Sequence, residues 1–199
     1  MFIQIIQAKC TRQQEMREQL DKWLIERSPS VTGWLGGTYG FTDDDMFVAV
    51  VRFDSRESAA TNSASREQSE WWSRTESLLD GPVEFHDCSD VTLMMDGGSD
   101  DAGFVQIIRG KADDPAALRA MMSDTQLLHE MRPEILGGTL AIDADGTFTE
   151  TVAFTDEASA RRGEQMEMPA EIRERMEAAM HDLTFVDLHA PFFASRASS

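Results

Sequence analysis

The sequence predicts an α+β fold, in which two tandem βαββαβ ferredoxin-like repeats pack sheet to sheet as a pseudo-dimeric α+β barrel. Three observations predict it. First, the chain repeats itself: FIQIIQAK at residues 2–9 returns as FVQIIRGK at 104–111, and LGGT at 35–38 returns unchanged at 136–139. FDSRESA at 53–59 returns as FTDEASA at 154–160, and FHD at 85–87 is echoed by FVD at 185–187. The four matches are collinear at an offset of 100 to 102 residues, the mark of an internal duplication. Second, each half reads βαββαβ, a unit that makes a four-stranded antiparallel sheet with both helices on one face. Third, FVAVV at 47–51 is apolar on both sides of the strand, so both sheet faces are buried and the other repeat is the cover. The expected organisation is a first repeat over 1–95, a Gly/Asp-rich linker over 96–103 and a second repeat over 104–199.

Each element follows from local chemistry. Residues 2–9 are β-branched and apolar and read as a strand. Thr11 with Gln14 has capping-box spacing, and Met16, Leu20, Trp23 and Leu24 then recur at helical intervals. Residues 33–41 and 46–53 form a hairpin around the acidic turn at 42–45. Asp54 or Ser55 caps a second helix running to about Leu79, which Gly81 and Pro82 stop before a last strand over 83–94. In the second repeat Asp114 and Pro115 read as N-cap and N1, residues 143–146 as the hairpin turn, and Pro169 as a break in the last helix.

Composition excludes several functions. The 199 residues carry 36 acidic and 18 basic side chains, a net charge of −18. That balance disfavours nucleic acid, whose grooves need clustered Lys and Arg, and anionic membrane surfaces. No apolar run approaches the roughly 20 residues of a membrane span. The start MFIQII has no basic segment before its apolar residues, so the cytoplasm is the expected compartment. Cys10 and Cys88 are expected to be free thiols. No metal site is expected: His86, His129, His181 and His189 lack paired ligand spacing, and residues 43–45 read as an exposed acidic turn. Phosphate-loop, dinucleotide and nucleophile-elbow motifs are absent from the sequence.

The chain resembles the dimeric α+β barrel superfamily in a fused form, and within it the antibiotic-biosynthesis-monooxygenase-like proteins. The sharpest local likeness is the second helix of repeat one, where Ala59, Asn62, Ser65, Trp71, Leu78, Leu79, Gly81 and Pro82 follow the family's pattern, with Asn62 where His is usual. The resemblance implies cofactor-independent oxygenation of a small aromatic or quinol-type substrate, hence no cofactor. It disfavours the haem-degrading branch, because the first strand carries Gln4 where that branch has Asn, and the next His after Trp71 is His86 on the following strand.

The candidate site lies in repeat one. Trp23, Trp34, Trp71, Trp72 and the single Tyr39 all fall there, whereas repeat two carries Met121, Met122, Met131, Met166, Met168, Met176 and Met180. Two differently filled cores would show the same asymmetry. At 100° per residue Asn62, Ser65, Ser69 and Trp72 share a helix face that is small and polar, as a small-molecule pocket requires. Alternatively, the serines face solvent and the helix packs through Ala60, Ala64 and Trp71. Gly163 and Met166 replace Asn62 and Ser65 in repeat two, which therefore reads as plugged. Gln4 and Gln106 have a structural role in this reading. Glu150 stands where repeat one has Ala49, and is either a buried carboxyl of raised pKa or solvated near a hairpin.

The resulting expectation is a small hydrophobic or aromatic partner. Asn62 and Arg52 would be oxyanion partners and catalytic; Ser65, Ser69, Trp72, Trp34 and Tyr39 would bind the substrate. Arg52 equally suits a salt bridge. A non-catalytic binding protein and a partner-binding protein acting through its acidic surface are the competing classes. A monomer with an internal pseudo-dimer is expected, with higher assembly through strand edges open.

Overall fold

The structure, a computed structural model, describes residues 1–123 and 125–195, with only the backbone of Gln126 and Leu127; residues 196–199 of the second expected repeat lie outside the described residues. In chain order the elements are β1 (Phe2–Lys9), α1 (Gln13–Glu26), β2 (Trp34–Phe41), β3 (Met46–Phe53), α2 (Arg56–Ser63), α3 (Arg66–Glu76), β4 (Glu84–Cys88) and β5 (Asp90–Met94). The second repeat follows as β6 (Phe104–Ala112), α4 (Pro115–Ser123), α5 (Gln126–Met131), β7 (Ile135–Ile142), β8 (Thr147–Phe154), α6 (Glu157–Glu164), α7 (Ala170–Ala179) and β9 (Met180–Ser195). This is the α+β, tandem ferredoxin-like order.

Two compact units result. One is Met1–Ser89 with residues 192–195; the other is Asp90–Pro191. In the first, the strands run β4-β1-β3-β2, with the end of β9 beside β2; in the second, they run β9-β6-β8-β7-β5. The segment 192–195 fits beside β2 because Gly36, at φ +150°, has no Cβ: one built there would lie 2.5 Å from the Ala194 carbonyl oxygen.

Strand alternation gives each sheet a helix-bearing face. In the first unit Phe2, Tyr39, Phe47, Ala49 and Phe53 meet Met16, Leu20 and Trp23 of α1, Ala59 of α2 and Trp71 of α3. In the second, Phe104, Leu140, Phe148, Val152 and Phe154 meet Leu118 and Met122 of α4 and Ala160 of α6. The opposite faces are buried too, Ile3, Ile5, Val105 and Ile107 being fully covered.

Several local readings are corrected. The long second helix of repeat one is two helices, because Ser65 leaves the helical path and caps α3, its Oγ accepting the Gln68 N–H at 3.2 Å. Ser55 caps α2 in the same way. Thr11 does not cap α1; its N–H and hydroxyl both donate to Asp80, at 2.7 and 2.8 Å, and these bonds hold the Asp80 carboxyl below its ordinary pKa. The strand expected over 83–94 is interrupted at Ser89. Asp114 does cap α4, accepting the N–H groups of Ala116 and Ala117 at 3.0 Å, and α7 begins just after Pro169.

Candidate functional site

Between the helix-bearing face of the first sheet and α1, α2 and α3 lies a cavity of about 390 Å³. Its floor is a row of consecutive cross-strand partners, Phe85 on β4, Ile6 on β1, Ala49 on β3 and Tyr39 on β2. Gln4, Phe47, Val51 and Phe53 complete the floor. The roof is aromatic: Trp23 lies 6.2 Å from Trp71, Trp71 lies 6.2 Å from Trp72, and Trp72 lies 5.4 Å from Phe85 between ring centroids. Phe85 is about half exposed and Ser69 and Ser73 of the lining are exposed, so the cavity opens to solvent between β4 and α3.

Most polar groups of the lining are committed to the protein itself. Ser69, Ser73 and Thr75 each donate a hydroxyl to a carbonyl four residues back, at 3.0 Å, as such residues do within helices. Gln68 Oε1 accepts the Trp23 indole N–H at 2.9 Å, and the Gln4 amide donates to Asp87 at 2.9 Å. Asn62 differs: its Oδ1 is buried without a hydrogen-bond partner. A buried acceptor left unpaired costs about 1–3 kcal/mol, so the cavity holds an unmet demand for a donor. Tyr39 supplies a second polar edge. Its phenol pKa is raised above the ordinary value by burial, against the opposing pull of the nearby Arg52 charge. Tyr39 is itself stacked on Phe192, with centroids 5.3 Å apart.

Of the residues singled out in the sequence, Asn62, Ser69, Trp72 and Tyr39 line the cavity together. Three do not. Ser65 is turned into the helix junction, donating to the Asn62 carbonyl at 2.7 Å while it caps α3. Trp34 packs behind the lining, edge to face against Trp23 at 5.2 Å. Arg52 alternates with Val51 and Phe53 and so points off the opposite face of β3. Ala60 and Ala64 are exposed while Trp71 is buried, so the alternative packing face holds only for Trp71. Sequence reasoning missed Gln4, Trp23, Ser63, Gln68 and Thr75 as lining residues. For Gln68 a signal existed: Ser65-x-x-Gln68 is itself a capping-box pattern. Cys10 and Cys88 are buried and form no disulfide, and burial pushes the Cys10 pKa up. Among the described residues no group of metal-ligating side chains could hold an ion, and no helix is long and apolar enough to cross a membrane.

Comparison with known proteins adds the fold. No family model matches the sequence, and no curated protein does. Solved structures do. A candidate monooxygenase of Lactobacillus acidophilus superimposes with a TM-score of 0.75 at 11% identity, covering 98% of this chain and 95% of that one. One from Fusobacterium nucleatum gives 0.76 at 9% identity, covering 100% and 95%. An anthrone oxidase-like protein gives 0.71 at 10% identity, covering 99% and 94%. The chain shares the fold of these three proteins.

Within this fold the two repeats have diverged at the cavity. Gly163 takes the place of Asn62, and a Cβ there would collide with both Arg132 Nε and Glu134 Oε1. The largely buried Arg132–Glu134 ion pair thus fills the space beside the helix that Asn62 occupies in repeat one. Glu164 takes the place of Ser63 and accepts from Gln106 at 3.1 Å. Arg161 ties Glu157, Glu164 and Asp187 together above it. Glu150 stands on the core-facing side of β8, in line with Phe148 and Val152, partly buried, and burial pushes its pKa up to about 7.

Proposed function

We propose that the first repeat binds a small, planar, hydroxylated aromatic molecule and oxygenates it without a cofactor. The unpaired Asn62 Oδ1 in the wall of an aromatic-lined cavity carries this reading. A phenol or enol hydroxyl would satisfy that oxygen, while the tryptophans would cover the ring faces. The same amide carries donors on Nδ2, which would meet the oxygen once its proton has left for water at the open mouth. The substrate anion then reduces dioxygen. For an anthrone-type CH₂ group, carbon loses two hydrogens and gains one oxygen as a carbonyl, and the second oxygen atom leaves as water. The likeness to an anthrone oxidase-like protein supports trying that substrate class first.

An oxygen electrode tests this. Anthrone added to the wild-type protein should consume one dioxygen per molecule, and Asn62→Ala should slow consumption at least tenfold. Undiminished turnover in the variant would remove Asn62 from the reaction. A second reading, binding without turnover, has its own support: among the described lining residues none is a carboxylate, imidazole or amine able to take a proton near neutral pH, and the Tyr39 pKa is raised. Tryptophan quenching by anthrone without oxygen uptake would decide for that reading.

A further inference from the structure

The floor row of the first repeat has an intact counterpart in the second. Phe85, Ile6, Ala49 and Tyr39 correspond to Phe185, Ile108, Glu150 and Leu140, which are likewise consecutive partners across β9, β6, β8 and β7. Phenylalanine and isoleucine are kept in both rows. The residues that differ are the last two, and at the third position a methyl group faces a long carboxylated chain. Ala49 is also the smallest side chain on its own floor, set between Phe47 and Val51 on β3 and between Ile6 and Tyr39 across it. Tyr39 cannot swing in to cover it, since its ring is stacked on Phe192, whose ring is in turn held under the Arg17 guanidinium at 4.3 Å.

We propose that Ala49 is the specificity-determining residue of the cavity, its methyl group leaving the depth that a ligand of two or more fused rings needs. The proposal rests on the aromatic-ligand reading above and names what that reading leaves open, the size of the ring system. The cavity's volume of about 390 Å³ falls among sites that enclose whole drug-sized molecules, roughly 300–1,000 Å³. A larger residue at position 49 would divide that volume at its floor, leaving the part beneath Trp72 and Phe85 at the mouth. A one-ring ligand fits that outer part; a three-ring ligand needs the whole.

The test compares wild type with Ala49→Val and Ala49→Leu. Each is titrated with anthrone, which has three fused rings, and with phenol, which has one, by quenching of tryptophan fluorescence. Thermal unfolding is followed in parallel. The leucine variant should bind phenol within about twofold of wild type and anthrone at least tenfold more weakly, with valine in between. Its melting temperature should be unchanged or raised, because the added atoms enter open space. Unaltered anthrone binding by Ala49→Leu would overturn the proposal. So would equal loss of both probes, or a lowered melting temperature of the kind that overpacking produces. Wild-type protein that binds neither probe would instead remove the aromatic-ligand reading, and the proposal with it.

Discussion

The indole N–H of Trp23 on α1 donates to Oε1 of Gln68 on α3 at 2.9 Å, joining the two helices directly over the cavity. Buried indole N–H groups usually take such a partner, and this bond ties α1 to α3 above the sheet. Gln68→Ala should destabilise the protein by about 1–3 kcal/mol, the cost of an unpaired buried donor. Gln68→Glu, which keeps the acceptor, should cost less. Urea unfolding read through tryptophan fluorescence checks the order, and an alanine variant as stable as the glutamate variant would contradict it.

Asn62 should show the opposite relation between stability and function. Its Oδ1 has no partner in the protein, so Asn62→Leu removes an unmet polar group and adds apolar contact. Unfolding stability should stay level or rise by about 0.5–1 kcal/mol, while ligand binding falls at least tenfold. Parallel melting and titration experiments report both quantities. A large loss of stability would mean that Asn62 serves the fold.

Glu150 makes stability depend on pH. Burial raises its pKa from 4.5 to about 7 in the folded protein, so the native state favours the protonated form more than the unfolded chain does. Its contribution is fully present below about pH 4.5 and is lost as pH rises through about 7. Glu150→Gln cannot ionise, so it should exceed wild type by on the order of 1–3 kcal/mol at pH 8.5. The gap should narrow steadily towards pH 5. Denaturant unfolding across that range is the measurement, and a gap independent of pH would contradict burial as the cause.

Gly163 leaves the space that the Arg132–Glu134 ion pair fills. Gly163→Ala should push the pair aside and cost about 1–3 kcal/mol, although alanine normally stabilises a helix relative to glycine. A double mutant with Arg132→Ala should recover part of the loss, since the clash goes with the guanidinium. An alanine variant more stable than wild type would show that propensity outweighs the contact.

How much of this was legible depended on the range of the physics involved. The strands at 2–9 and 46–53 and the Asp114 cap were readable because period-two patterning and capping chemistry act within a few residues. The break at Ser65 was masked by an unbroken helical spacing from Ala59 to Trp71, although the Ser65–Gln68 pair announced it. Asn62, Ser69 and Trp72 could be grouped because they share one local stretch of chain. Trp23 and Gln4 could not be added, because α1 and β1 reach the cavity only through packing.

The sequence by itself determined the duplication, the α+β class, the element order and the asymmetry between an aromatic repeat and a methionine-rich one. These are properties of residue order, and residue order is complete in the chain. Tertiary structure decided the rest. It turned Arg52 off the opposite face of β3 and Ser65 into a cap, and set Ala49 and Tyr39 side by side under Trp23 and Trp71. It also put the Arg132–Glu134 pair in Asn62's place in the second repeat. A cavity is the space left where side chains distant in sequence fail to meet, and that is fixed only when the helices settle on the sheet.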